Sequence, residues 1–221
     1  MTQSEIFEVA IVPLPDVVLF PRTLLALRLA EPGCQAMAAD CLAGDRRLGI
    51  VLMKGPNGSA VGPAESQRRP AIHKVLGVGV IVDHENLPDG TCSLKLEGAC
   101  RAMILDELPG EFYRSARVEV VKDYYDVDRR EELEDSRSRL ARQSRLLAKQ
   151  MPDFADLIDR ILSTARHPGI LADQLAHHFV ADLYDRQSIL GEYDVIRRVD
   201  LVAIQMESLN RRVRREQRKA S

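Results

Sequence analysis

The chain has no tryptophan, and only 5% of its 221 residues are aromatic. Its core must therefore rest on Leu, Val, Ile and Ala, and the ring platforms on which single-stranded nucleic acid stacks are scarce. No apolar run approaches the roughly 20 residues that span a bilayer, so no membrane partner is expected. Glu5 and Glu8 stand where a secretory leader needs basic residues, and no long apolar stretch follows them. Cys34, Cys41, Cys92 and Cys100 form no C-x-x-C pair. Reduced thiols and a cytoplasmic location are the expectation. The net charge of −2 supplies no global attraction for nucleic acid or membrane.

The signatures of enzymes are equally thin. A phosphate-cradling loop needs Gly-x-x-x-x-Gly-Lys followed by Ser or Thr. The nearest stretch, Lys54-Gly55-Pro56-Asn57-Gly58-Ser59, has its lysine before the glycines and Pro56 where a backbone donor is wanted. It reads as a flexible turn. Gly77-Val78-Gly79 lacks the third glycine of a dinucleotide fingerprint and reads as close strand packing or a bulge. No Ser/His/Asp or Cys/His set has a local signature, so acyl transfer is not expected.

The five histidines offer little to a metal ion. His177 and His178 are adjacent and point about 100° apart on a helix. His178 falls at i, i+4 from Gln174 and to Asp182, and a site would need His167 or Asp185 besides. Boundary polar residues are the simpler reading, with His73 and His84 at the ends of a strand. No catalytic residue, metal or cofactor is assigned, and substrate-binding residues stay unnamed.

What is present is an ordinary globular balance, 45% apolar and 29% charged, in a length that suits one large or two small domains. The first half reads as β. Phe7, Val9 and Ile11 alternate with polar or small residues. Val12 to Pro21 (VPLPDVVLFP) carries three prolines, which fix φ and remove donors, and implies short strands at Val17–Phe20 and Leu25–Leu29 around a kink. The spacing of Met37, Cys41 and Leu42 predicts a helix over 33–42 capped by Gly44. Leu48–Met53 suits a strand buried on both faces. Gly55–Ala71 is too rich in breakers for a regular element and reads as a disordered or functional loop. Val75–Val82 and a strand from Cys92 to Leu96 flank a hairpin with Asp89-Gly90 at its tip. Met103–Leu105 and Val118–Val121 bring the strands to about six, a pattern that favours a closed or nearly closed antiparallel barrel.

At Lys122 the period changes. Leu133, Leu140, Leu147, Met151, Phe154, Ile158, Ile161 and Ala165 recur at helical spacing, with a break expected at Pro152. Asp173–Arg186 reads as one helix. Asp194 suits the N-cap of a last helix whose seam is Val199, Val202, Met206, Leu209 and Val213. Its end, Arg211 to Lys219, holds six bases against one acid and reads as a solvated helix terminus favoured by the macrodipole. The expected architecture is α+β: a β unit over residues 1–121, then a helical unit over residues 122–221.

Laid end to end, these features resemble the amino-terminal, substrate-binding domain family of Lon-type proteases. Pro13, Leu14, Pro15, Phe20 and Pro21 reproduce its PLP…FP element. Glu31 and Met37 match its strand end and helix, and Asp89, Gly90, Gly98 and Arg101 its DG hairpin and Gly-x-x-Arg element. Leu171-Ala172-Asp173, Asp185–Leu190 and Arg197 or Arg198 complete the likeness, which covers about residues 7 to 209. The chain departs from the family at Ala30, Gly33 and Cys34, where aromatics and a base are usual. The resemblance implies a PUA-like β pseudo-barrel followed by a carboxy-terminal helical bundle. It also implies a non-catalytic, proteolysis-associated module that recognises unfolded or degron-bearing polypeptides, with a separate Lon protease as a partner. Two alternatives come from other classes. One is RNA binding through the basic tail, opposed by the net acidity. The other is an enzyme with a cleft between barrel and helices. The last helix also offers a seam for a homodimer.

Overall fold

A computed structural model describes residues 5–30, 33–55, 70–110 and 112–220. The chain divides into two compact units, Met1–Val121 and Lys122–Ser221. The sequence expectation for Gly55–Ala71, and the family position Glu31, fall wholly or mostly outside the described residues.

The first unit contains β1 (Ile6–Leu14), β2 (Leu24–Leu29), α1 (Cys34–Ala43), β3 (Arg47–Leu52), β4 (Val75–Asn86), β5 (Cys92–Leu108) and β6 (Arg114–Val120). β4 pairs with β3 and β5, β3 with β1, β1 with β6, and β6 returns to β5, so five strands close a ring. β2 is appended to the first half of β5. Met103–Leu105 and the segment starting at Cys92 are not separate strands. They are one 17-residue strand, whose first half carries β2 and whose second half carries β6. Register shifts at Val78/Gly79, Ile81/Asp83 and Ile104/Asp106 give the ring the bends that closure needs. His84 lies within β4 rather than at its end.

The ring is mixed, not purely antiparallel. β1 and β3 run parallel, Ile11 opposite Gly49 to Leu14 opposite Leu52. A parallel pair needs a crossover, and the chain supplies one through α1. β3 is accordingly buried from Leu48 to Leu52. Gly44 does end α1, donating to the carbonyls of Asp40 and Cys41, but at φ −100°. Arg46 takes the left-handed conformation instead, at φ 63°, and donates to the Cys41 carbonyl.

Val17–Phe20 is not a strand. Val18, Leu19 and Phe20 are buried, and their backbone lies across the glycines of β4 and β5. A β-carbon on Gly77 would strike the Leu19 carbonyl, and one on Gly98 the Phe20 carbonyl. The close packing expected at Gly77-Val78-Gly79 is thus an approach of backbone to backbone.

The second unit holds α2 (Arg130–Gln150), α3 (Ala155–Thr164), α4 (Pro168–Phe179), α5 (Leu183–Gly191) and α6 (Val195–Ala220). Pro152 opens a short 3-10 turn between α2 and α3, as its missing donor requires. Asp173–Arg186 is two helices, not one. Val180 is extended, and Asp182 caps α5 by accepting from the Asp185 amide at 2.9 Å. Asp194 caps α6, accepting from Ile196 and Arg197 at 2.9 and 3.2 Å. The seam residues Val199, Val202 and Met206 are fully buried, whereas Leu201 and Ile204 face outward. No helix of the described residues is long and apolar enough to cross a membrane.

Candidate functional site: an open strand edge and its groove

β2 begins with a bulge. Arg22, at φ 60°, donates its amide to the Gly98 carbonyl, while the Gly98 amide donates to the Thr23 carbonyl, both at 2.8 Å. Two residues of the incoming chain thus face one of β5. The Thr23 hydroxyl donates back to the Phe20 carbonyl at 2.8 Å and holds the bulge. Along an antiparallel strand the backbone groups alternate sides. With Thr23 turned to β5, the N–H and C=O of Leu24, Ala26 and Arg28 point to the outer edge. β2 pairs only with β5, from Leu24 opposite Glu97 to Leu29 opposite Cys92. Among the described residues no strand covers that edge. Leu25 and Leu27 pack toward the core, while Leu24 is 55% exposed.

Beyond Leu29 the edge leads into a groove of about 370 Å³ between the start of α1 and the β4–β5 hairpin. It is lined by Ala30, Gly33, Cys34, Gln35, Ala36, Asp89 and Gly90. Gly33 has φ 90°, and a β-carbon there would strike the Phe112 carbonyl, so only glycine fits. The Cys34 thiol donates to the carbonyls of Leu29 (3.4 Å) and Gly90 (3.7 Å) and ties strand end, helix start and hairpin together. Asp89 accepts from the Thr91 amide at 2.9 Å, and that bond holds its carboxyl below the usual range. Ala30, Gly33 and Cys34, the three departures from the family pattern, all line this groove.

Burial, with Asp40 and Asp45 nearby, pushes the Cys41 thiol up to about 11, and burial also raises Cys92 and Cys100. Thiols so placed stay protonated and are poor nucleophiles. The Tyr113 hydroxyl, donating to Asp40 at 2.6 Å, is pushed up to about 12 by that bond. His178 and Asp182 do not share a helix, because α4 ends at Phe179. Among the described residues no three His, Cys, Asp or Glu side chains gather to hold a metal.

The family-matched residues of the helical unit are structural. Arg198, not Arg197, is the buried arginine, with no exposed surface. It donates to Asp123 Oδ2 at 2.6 Å and to the Glu192 carbonyl at 2.7 Å, and its Nε lies 3.3 Å from Asp173 Oδ1. That last contact is an ion pair without hydrogen-bond alignment. Arg186 donates to the carbonyls of Val180 and His177 and so caps the end of α4. Asp185 accepts from Gln205 at 2.9 Å and ties α5 to α6.

One charged surface could not be read from the sequence. α2 and α6 run parallel: Arg139 meets Asp200, Gln143 meets Asn210, and Gln150 meets Gln217. Their basic ends therefore lie side by side. Arg142, Arg145 and Lys149 on α2, and Arg212, Arg214, Arg215, Arg218 and Lys219 on α6, are exposed.

A ring-closed mixed β unit with one appended edge strand, followed by a helical unit, defines an α+β architecture of the kind seen in substrate-binding domains. The model of the ATP-dependent protease La (LON) substrate-binding domain matches residues 8–208, and the chain belongs to that family. The Lon protease of Dictyoglomus thermophilum is 27% identical over 192 residues, covering 87% of this chain and 23% of that protein. Lon protease 2 of Sorangium cellulosum is 29% identical over 198 residues, 88% of this chain and 24% of that one. The chain thus spans about a quarter of the length of the curated relatives it matches, and the match is to the substrate-binding domain alone. Among solved structures, the N-terminal domain of Mycobacterium avium complex Lon protease superposes with a TM-score of 0.68 at 16% identity, covering 91% of this chain and 98% of that one. The Lon N-terminal domain protein of Xanthomonas campestris gives 0.59 at 18% identity, covering 88% and 95%.

The sequence pattern carried the scaffold positions but not the β2 edge. Strand pairing is non-local, and only the shortness of Leu24–Leu29 and the proline before it hinted at an outer strand.

Proposed function

We propose that this chain recognises unfolded or degron-bearing polypeptides in the cytoplasm and has no ATPase or peptidase chemistry of its own, with a separate Lon protease as its working partner. The observation that carries this reading is the family match over residues 8–208. The chain matches the substrate-binding domain of its relatives over about a quarter of their length, which supports it. The two compact units serve as a β subdomain over 1–121 and a helical subdomain over 122–221. The α6 seam offered for a homodimer is not free for one, since Val199, Val202 and Met206 are buried within the helical unit. The test is binding of reduced, carboxymethylated α-lactalbumin to the full chain, read by calorimetry, with and without a Lon protease. Micromolar binding is expected. No binding in either setting, or ATP hydrolysis by the purified chain, overturns the reading.

A second reading, nucleic-acid binding, is favoured by one observation, the side-by-side basic ends of α2 and α6. Phosphate contacts of this kind are strongly salt-dependent. Anisotropy of a labelled RNA that stays flat at 50 mM salt removes it.

A further inference from the structure

We infer that the outer edge of β2 is a strand-addition site, on which an extended polypeptide segment docks by main-chain hydrogen bonds. This inference rests on the polypeptide reading above and assigns it a place and a mode.

Three observations converge on it. The first is the supply of backbone groups. The bulge at Arg22–Thr23 sets the phase of β2, so Leu24, Ala26 and Arg28 present their N–H and C=O groups outward. No hydrogen bond of the described backbone reaches these groups. A row of donors and acceptors at every second residue is complementary to one kind of partner, another extended chain.

The second is an exposed apolar side chain on an edge that is only partly protected. Folded proteins blunt such edges with charge, proline, a covering element or a short strand. β2 has a bulge at its start and one charge, Arg28, which lies 4.0 Å from Asp89. Its outward side chains begin with Leu24, more than half exposed. An extended apolar segment pairing here would cover that leucine as well as satisfy the backbone.

The third is continuity. Ala30, the residue after β2, lines the groove that Gly33–Ala36 and the Asp89-Gly90 turn enclose. A guest strand that follows the edge is led into this groove, where a side chain can be read. Main-chain pairing is indifferent to sequence, and the groove adds the selectivity. A module that takes many unfolded chains needs that division of labour.

Ala26→Pro is the decisive variant. It removes one outward N–H and obstructs the edge, while the pairing of Leu25 and Leu27 with β5 needs no donor from residue 26. Its binding to carboxymethylated α-lactalbumin should weaken at least tenfold. Amide hydrogen exchange on the unaltered full chain gives a readout that does not depend on the variant's folding. Adding the same probe should slow exchange at Leu24, Ala26 and Arg28 together. Binding by the unaltered chain with no protection at these three amides overturns the strand-addition site and leaves the polypeptide reading standing. Full-strength binding by a folded Ala26→Pro chain does the same. No binding by the unaltered chain overturns both. Protection of the three amides without probe, with a dimeric mass by light scattering, overturns the inference in favour of a second copy of this chain on the edge.

Discussion

A β-carbon on Gly98 would land on the carbonyl oxygen of Phe20. The PLP…FP segment is therefore held against the ring by its backbone. Gly98→Ala, and Gly77→Ala beneath Leu19, force main chain to move and should each lower unfolding free energy by about 1–3 kcal/mol. Gly191→Ala, at the end of α5 with nothing within 4 Å, is the control and should be neutral or slightly stabilising. Urea midpoints at constant slope decide the matter.

Arg198 sits between two carboxylates with no solvent contact. Arg198→Ala removes the cation beside the buried Asp173 carboxylate, 3.3 Å away, and should cost about 3–5 kcal/mol. The pair Arg198→Met with Asp173→Leu should recover a large part of that loss, since apolar groups of similar volume replace both charges. Gly169→Ala, whose β-carbon would press on the Arg198 guanidinium and come within 2.6 Å of Asp123 Oδ2, should also destabilise. Thermal unfolding of the three variants orders them.

His177 gives the helical unit a pH dependence. Burial, then His178 and Arg186, lower its pKa from 6.5 to about 4, and its buried Nδ1 has no partner. The folded-state value lies below the unfolded one, so the unfolded state binds the extra proton between those values. The contribution is fully present above about pH 6.5 and is lost as pH falls through about 4. After discounting the ring's partial exposure it is about 1–2 kcal/mol. The pH-dependence of the urea midpoint should be flatter in His177→Asn than in the unaltered chain across that window. Equal slopes would remove His177 as the cause.

Two glycines frame the groove with nearly the same φ but different surroundings. Gly90, at 84°, has open space around it, so Gly90→Ala should cost only the left-handed penalty, about 1–2 kcal/mol. Gly33, at 90°, also abuts the Phe112 carbonyl, so Gly33→Ala should cost more. Equal costs by chemical denaturation would mean that the Phe112 contact relaxes freely.

Local chemistry was legible in the sequence, and pairing was not. Asp194 as a cap, the break at Pro152 and the DG turn each follow from one or two residues acting on their own neighbours. Val17–Phe20 misled because burial without a ladder looks like a buried strand when only apolar content is seen. Asp173–Arg186 misled because Leu175, Phe179 and Leu183 keep helical spacing across an interruption made by Val180 and the Asp182 cap. The parallel β1–β3 pair, the single long β5 and the outer position of β2 depend on partners far along the chain. For the same reason the candidate site was found only in part: its groove residues stood out as departures from the family, its edge did not.

Ring closure also sets an order of events during synthesis. Ile6 pairs with Glu119, and Ile11 with Arg114. At about 5–20 residues per second, the first strand waits roughly 6–23 s for the last to leave the ribosome. During that interval Val9, Ile11 and Val12 are the edge of an unfinished sheet, a target for chaperones and for neighbouring nascent chains. On the strand-addition proposal, a chain that would receive the extended segments of other proteins spends its own first seconds as one.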